Sequence, residues 1–187
     1  MKKLITNTIL ASSLLTGISV ANSCSKVEDI INDITIPVPF DIPVNIDSDI
    51  PFVVSTDYVK SPNIPLNLDL DKEIKDRFQG NLTVKSAKLT SFSISQVSSV
   101  GGITLKAVSD AKLWIAAPGQ VDQVIANVTN NTSETALSFT PDPNVEIMSY
   151  LKSTQASIYL EVKGPENKAD QMKIKINSSF KIQVGLN

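Results

Sequence analysis

The chain has 187 residues, 17 basic against 19 acidic side chains, a formal net charge of −2 and no histidine. That length holds one domain of ordinary size with a real core. The mildly acidic balance gives no electrostatic case for nucleic acid. Without imidazole, the Ser-His-Asp and Cys-His nucleophile systems and the usual zinc and haem sites drop out.

Lys2 and Lys3 precede a mostly apolar run, residues 4–20, which is diluted by Thr6, Asn7, Thr8, Ser12, Ser13, Thr16 and Ser19. A permanent span needs about 20 mainly apolar residues, so the run fits a removable export signal better than an anchoring helix. Small residues then lead to the one cysteine, as Ala21-Asn22-Ser23-Cys24. A single cysteine closes no intramolecular disulfide. This opening, up to Asp29, resembles the lipoprotein signal peptides of Gram-negative bacteria, particularly those of the Bacteroidota. Ala21-Asn22-Ser23-Cys24 stands as a loose lipobox, with Asn22 departing from the usual small residue. The resemblance implies cleavage before Cys24, a thioether-linked diacylglyceryl group and an N-terminal acyl chain such as palmitate. It therefore implies a lipid anchor in the outer membrane. Ser25 is not the aspartate of an inner-membrane retention signal. Ser25-Lys26-Val27-Glu28-Asp29 looks like the acidic tag that sends some of these lipoproteins to the cell surface. The rival is ordinary signal-peptidase cleavage after the small-x-small Ala21-Asn22-Ser23, leaving Cys24 a free thiol. The implied division is a signal peptide over 1–23, a lipidated N-terminus and tether over 24–33, and a folded domain over 34–187.

From Ile34 the chain alternates. Ile34, Ile36, Val38, Phe40, Ile42, Val44 and Ile46 are apolar, while Thr35, Pro37, Pro39, Asp41, Pro43, Asn45 and Asp47 fill the odd positions. Period two means an extended chain with one buried face. Prolines normally demote a strand. Same-parity N–H groups point to one lateral edge, however, so Pro37, Pro39 and Pro43 strip donors from that edge alone. This predicts an edge strand blunted against pairing with other chains. Asp47-Ser48-Asp49 reads as a turn, after which Ile50, Phe52 and Val54 resume the pattern. Ile64, Leu66, Leu68 and Leu70 mark a further extended piece, with a polyproline-like segment as the alternative geometry.

Residues 71–78 predict a short helix with Asp71 as its cap, Ile74 and Phe78 on one face and Gly80 as its stop. A strand begins at Leu82, and the parity slip between Leu89 and Phe92 predicts a bulge. Gly101-Gly102 and Pro118-Gly119 read as turns. Residues 112–116 read as a central strand, and 124–128 and 136–139 as strands around a turn at Asn130-Asn131. Asp142 followed by Pro143 predicts a second helix with Ile147 and Leu151 on one face. Ala156, Ile158, Leu160 and Val162 alternate, and Gly164-Pro165 turns the chain. Met172, Ile174 and Ile176, then Phe180, Ile182, Val184 and Leu186, alternate to the end, which sews the C-terminus into a sheet. Together these predict an all-β fold: an antiparallel β-sandwich, Ig-like or jelly-roll-like, with two short helices and a Pro-rich edge strand.

Acidic residues crowd positions 28–76, whereas Lys163, Lys168, Lys173, Lys175 and Lys181 enrich the end of the chain. Solvated strand faces account for both. Asn67, Asp69, Asp71 and Glu73 hint at calcium, but Lys72 occupies the place of the loop glycine, so Asp69 and Asp71 are weak metal candidates. No cofactor is implied. A carboxylate pair can cleave glycosides without histidine, yet nothing in the sequence selects a pair. Trp114, Tyr58, Tyr150 and Tyr159 suggest a sugar-stacking platform. Trp114 lies between Leu113 and Ile115 and reads as core, which leaves Tyr58 as the better ligand-binding candidate. Sandwich loops commonly carry contacts, so residues 58–63 and 122–135 are where a partner is expected. The expected function is a non-catalytic, lipid-anchored envelope module binding a protein or glycan. The alternatives are a carrier of a small apolar ligand or lipid, and a histidine-free hydrolase acting on glycans.

Overall fold

Apolar side chains at every second position can be buried only if a strand keeps one face on a core, and the structure is built from such strands. A computed structural model of the protein describes residues 39–78 and 82–186. Cys24, the tether, residues 34–38 and the helix stop at Gly80 lie outside the described residues. The elements are β1 (Phe40–Val54), β2 (Val59–Lys60), β3 (Ile64–Pro65), α1 (Leu70–Arg77), β4 (Leu82–Ser99), a 3-10 turn (Leu105–Ala107), β5 (Asp110–Ala116), β6 (Gln123–Val128), β7 (Ala136–Pro141), α2 (Met148–Leu151), β8 (Ser157–Lys163) and β9 (Lys168–Leu186).

Among the described residues the strands form one antiparallel sheet in the order β1-β9-β4-β7-β6-β5-β8-β2, with β3 also on β8. β7 belongs to both halves of it. Ala136, Leu137, Ser138 and Phe139 pair with β4, while Thr140 and Pro141 pair with β6. The sheet therefore curls through β7 into a sandwich-like half-barrel and buries its concave face. Ile94, Leu113, Ile115, Ile125 and Phe180 are at most 1% exposed there. Phe92 and Phe139, directly opposite in register, meet edge to face with centroids 5.1 Å apart. The fold is all-β, as the alternation predicts.

Among the described residues β1 is an edge strand paired only with β9, and its even positions are buried or half-buried while its odd ones are exposed. Pro43 and Pro51 take exposed odd positions, so their missing donors lie on the outer edge. The predicted turn at Asp47-Ser48-Asp49 is absent, and the strand runs straight through. Asp41, Asp47 and Asp49 stand opposite Lys181, Lys175 and Lys173 of β9, and opposite charges across a pair favour pairing. The separation of acidic and basic residues along the chain thus becomes complementarity between two adjacent strands.

β4 bends. Register shifts fall between Val84 and Ser86, Leu89 and Ser91, and Gln96 and Ser98. The second is the bulge predicted from the parity slip. Carboxylates tend both ends of this strand. Glu146 accepts from the Ala87 N–H at 2.7 Å and from the Ser86 hydroxyl at 2.6 Å. Asp170 accepts from the Ser99 hydroxyl at 2.5 Å and from the N–H groups of Gly101, Gln171 and Ile103 at 2.7, 2.7 and 3.3 Å. The Ser99 hydrogen bond, reinforced by those of the backbone, holds the Asp170 carboxyl down at about 2.

Both helices differ from expectation at their starts. Asp69, not Asp71, caps α1, accepting from the Lys72 N–H at 3.0 Å. Leu70 and Ile74 form the buried face. Near α2, β7 runs on through Pro141 and no helix starts at Asp142. Its side chain instead closes a turn onto the Asn144 N–H at 2.9 Å. α2 starts only at Met148, but Ile147 and Leu151 are both buried as predicted.

The far end of β1 is drawn to the end of β8. The Gly164 N–H donates to the Ser55 carbonyl at 2.8 Å. A Cβ on Gly164 would run into the Ala107 carbonyl oxygen and lie 2.6 Å from Val54 Cγ1. Glycine is required here by close approach of backbone to backbone. Gly164→Ala is expected to lower unfolding free energy by about 2–3 kcal/mol, read as a reduced urea midpoint; an unchanged midpoint would refute this account.

Acid unfolding tests the Asp170 anchor. Its carboxyl lies near 2 when folded against an ordinary 3.8, so its contribution is complete above 3.8 and is lost as pH falls towards 2. In Asp170→Asn the urea midpoint is expected to be lower at pH 6 and to fall less steeply between pH 4 and 2. Parallel pH profiles for the two proteins would count against it.

Candidate functional site

The site is built on the two faces of β5, β8 and β2. Ala111, Leu113 and Ile115 of β5 and Ile158, Leu160 and Val162 of β8 are buried on the core face. The intervening Lys112, Trp114, Tyr159, Glu161 and Lys163 form the outer face, in mutual register. Trp114 is half-buried on that face and not in the core, which corrects the reading drawn from its apolar neighbours.

Tyr159 is the centre of the outer face. Its ring stacks on Trp114, with centroids 5.7 Å apart and planes 8° from parallel. The Lys60 ammonium sits 3.6 Å from the Tyr159 ring centroid, a cation–π contact. The Tyr159 hydroxyl donates to Asp122 at 3.0 Å. These covers leave Tyr159 only 4% exposed. Burial, reinforced by the hydrogen bond to the Asp122 carboxylate, pushes its hydroxyl up to about 12. The Trp114 indole donates to Glu161 at 2.9 Å. Tyr58 is 41% exposed, with the Lys112 and Lys163 ammonium groups 4.4 and 5.2 Å from its ring centroid. At the far end of β5 the Ser109 hydroxyl, with the Asn130 N–H and Lys163, holds the Asp110 carboxyl below the usual range. Of the four aromatic residues suggested by the sequence, Trp114 and Tyr159 stack, and Tyr58 lies against Lys112 and Lys163 of the same face. Tyr150 is turned elsewhere, its hydroxyl bonded to the Val121 carbonyl at 2.5 Å.

Beneath this face the half-barrel holds a cavity of about 390 Å³. Ile94, Leu105, Leu137 and Ile174 make its floor, each 1% exposed. One lip is residues 50–53 of β1, and the other is residues 59–62. β1 and β2 are the two ends of the sheet order. Consecutive in the chain, they pair outward to β9 and β8 and leave the mouth between them. Pro51 and Pro62 line opposite lips, and neither carries an N–H with which to bridge the gap.

No protein-family model matches the chain, and no curated protein matches it. The chemistry of the site rests on its own residues.

Of residues 58–63, expected to contact a partner, 59–62 form one lip. The expected segment 122–135 contributes Asp122, whose carboxylate lies 3.9 Å from the Lys60 ammonium. Lys60 carried no sequence signal, being one lysine in a two-residue strand. Asp69 is occupied as the α1 cap, and Asp71 sits in the first helical turn. Among the described residues no group of three or more Asp, Glu, Cys or His is placed to hold a metal ion.

Proposed function

We propose that the protein is exported, lipidated at Cys24 and held on the outer membrane, where its domain binds a small apolar ligand without catalysing a reaction. The cavity carries this reading. Its volume of about 390 Å³ falls in the range of small-molecule sites, which are concave, mostly apolar and furnished with a few polar groups. Its floor offers aliphatic side chains, and among the described residues that line it the polar ones, Lys60 and Ser61, belong to one lip. The prolines on both lips favour a small molecule over an added β-strand, which would need backbone donors along the edge. The chain has no histidine with which to run nucleophile or imidazole-metal chemistry. A triacylated Cys24 would hold the domain stably, since two or more chains suffice for anchoring.

Contact with a protein or glycan across the outer face is a second reading, favoured by exposed Tyr58 between Lys112 and Lys163 and by the adjacent Trp114–Tyr159 stack.

Mass spectrometry of organic extracts of the full-length protein is expected to show a bound apolar molecule that is absent from the Val59→Trp variant. Val59 is a half-buried lip residue, so the larger ring plugs the mouth with little disturbance of the core. Identical extracts from the two proteins would give the outer-face reading first place. Intact-mass analysis is expected to show the mature chain starting at Cys24 with added acyl mass. Cys24→Ala should keep its signal or lose the acyl mass, and an unmodified native Cys24 would refute the anchor.

A further inference from the structure

We propose that the cavity takes the alkyl tail of an amphiphile end-on, measures its length against Ile94 and Leu137, and leaves the head group unread in solvent. This rests on the cavity being a ligand site and adds what that site selects. Among the described residues that line the cavity, only Lys60 and Ser61 have polar side chains, and both are committed elsewhere. The Lys60 ammonium lies on the outer face of the sheet, 3.6 Å from the Tyr159 ring centroid and 3.9 Å from the Asp122 carboxylate. The Ser61 hydroxyl accepts from the Leu160 N–H at 2.9 Å and donates to the Pro62 carbonyl at 3.0 Å. Beside Leu105 of the floor, the Gln96 amide donates to the Ile103 carbonyl at 2.9 Å and accepts from the Leu105 N–H at 3.1 Å. No lining side chain is left to pair with a head, and a head carried inward would be buried without a partner. The attraction is then the burial of methylenes.

The order of the sheet sets the direction of entry. The mouth lies between β1 and β2, the two ends of that order, and β4 and β7 are the third and fourth strands from the β1 end. In a sheet curled so that its ends flank the seam, such inner strands form the wall opposite the opening. Ile94 of β4 and Leu137 of β7 stand directly opposite in register, both line the cavity, and each is 1% exposed. Phe52 and Val59 belong to the two lips. A tail passing between the lips therefore ends on the Ile94–Leu137 pair, which fixes the length that fits. Phe52 is the one aromatic residue among the described residues of the lining. The remaining apolar surface is aliphatic, which suits an alkyl tail better than a ring seeking an aromatic partner.

Titration calorimetry of the full-length protein with straight-chain alcohols of rising length, and with decanoate and decyltrimethylammonium beside decanol, tests this. Affinity for the alcohols is expected to rise about fourfold per methylene, the scale of one buried CH₂, and to stop rising at one length. The three decyl compounds are expected to bind within about twofold of one another, since exposed charges at a rim contribute little. Ile94→Phe brings the wall forward and is expected to stop the rise at a shorter chain. Leu137→Val, a milder change, sets the wall back and is expected to stop it at a longer one. Octanol binding, which reports an intact cavity, is expected to persist in both variants. A preference of about tenfold or more for one head overturns the unread head and leaves the apolar site standing. Affinity that is flat with length, or a stop that moves in neither variant, overturns the wall as the measure of the tail. Binding of none of the alcohols overturns the site itself.

Discussion

The close approach of backbone to backbone at Gly164 governs how the sheet can curl. The bond from its N–H to the Ser55 carbonyl ties the end of β8 to the chain just after β1, although the two strands are far apart in the order of the sheet. The concave face is pinched shut at that end. Beyond it β1 and β2 diverge, and the space between them is the cavity. Were β1 and β2 paired along their length, the barrel would close and the aliphatic floor would be an ordinary core. The domain thus combines a covered apolar interior with an open seam.

The seam persists because neither lip can recruit the other. β2 is two residues long and Pro62 follows it closely, while Pro51 removes a donor from the facing edge of β1. The opposite edge of β1 is committed to β9 along all of its fifteen residues, with three aspartates facing three lysines. Charge complementarity holds one side of the strand, and missing donors leave the other side unpaired among the described residues. The same two devices that define an edge strand therefore define the mouth of the site.

Much of the fold was legible in the sequence because burial on one face leaves a period-two imprint. The edge role of β1 followed from the parity of its prolines, and the bulge near Ser91 from the slip between Leu89 and Phe92. Errors arose where two local signals competed. Asp69 and Asp71 flank Leu70 at the start of α1, and only the backbone geometry selects Asp69 as the cap. Asp142-Pro143 looks like a helix start, but Pro141 is still paired to Ala126. Trp114 seemed to belong to the core because its neighbours Leu113 and Ile115 do, yet alternation places it on the other face. The site was the least legible part. Lys60, Asp122 and Tyr159 are separated widely in the chain and meet only once β2 docks on β8. No local pattern encodes that meeting.

Trp114 is the only tryptophan of the protein, and it is one ring away from the lip of the cavity. Its partner Tyr159 carries Lys60 on the opposite face. Indole emission responds to the polarity and charge around it, and this indole is coupled through a single phenol to the residue at the entrance. The protein therefore carries an intrinsic optical reporter of the state of its own seam, with no second fluorophore of its kind to obscure the signal.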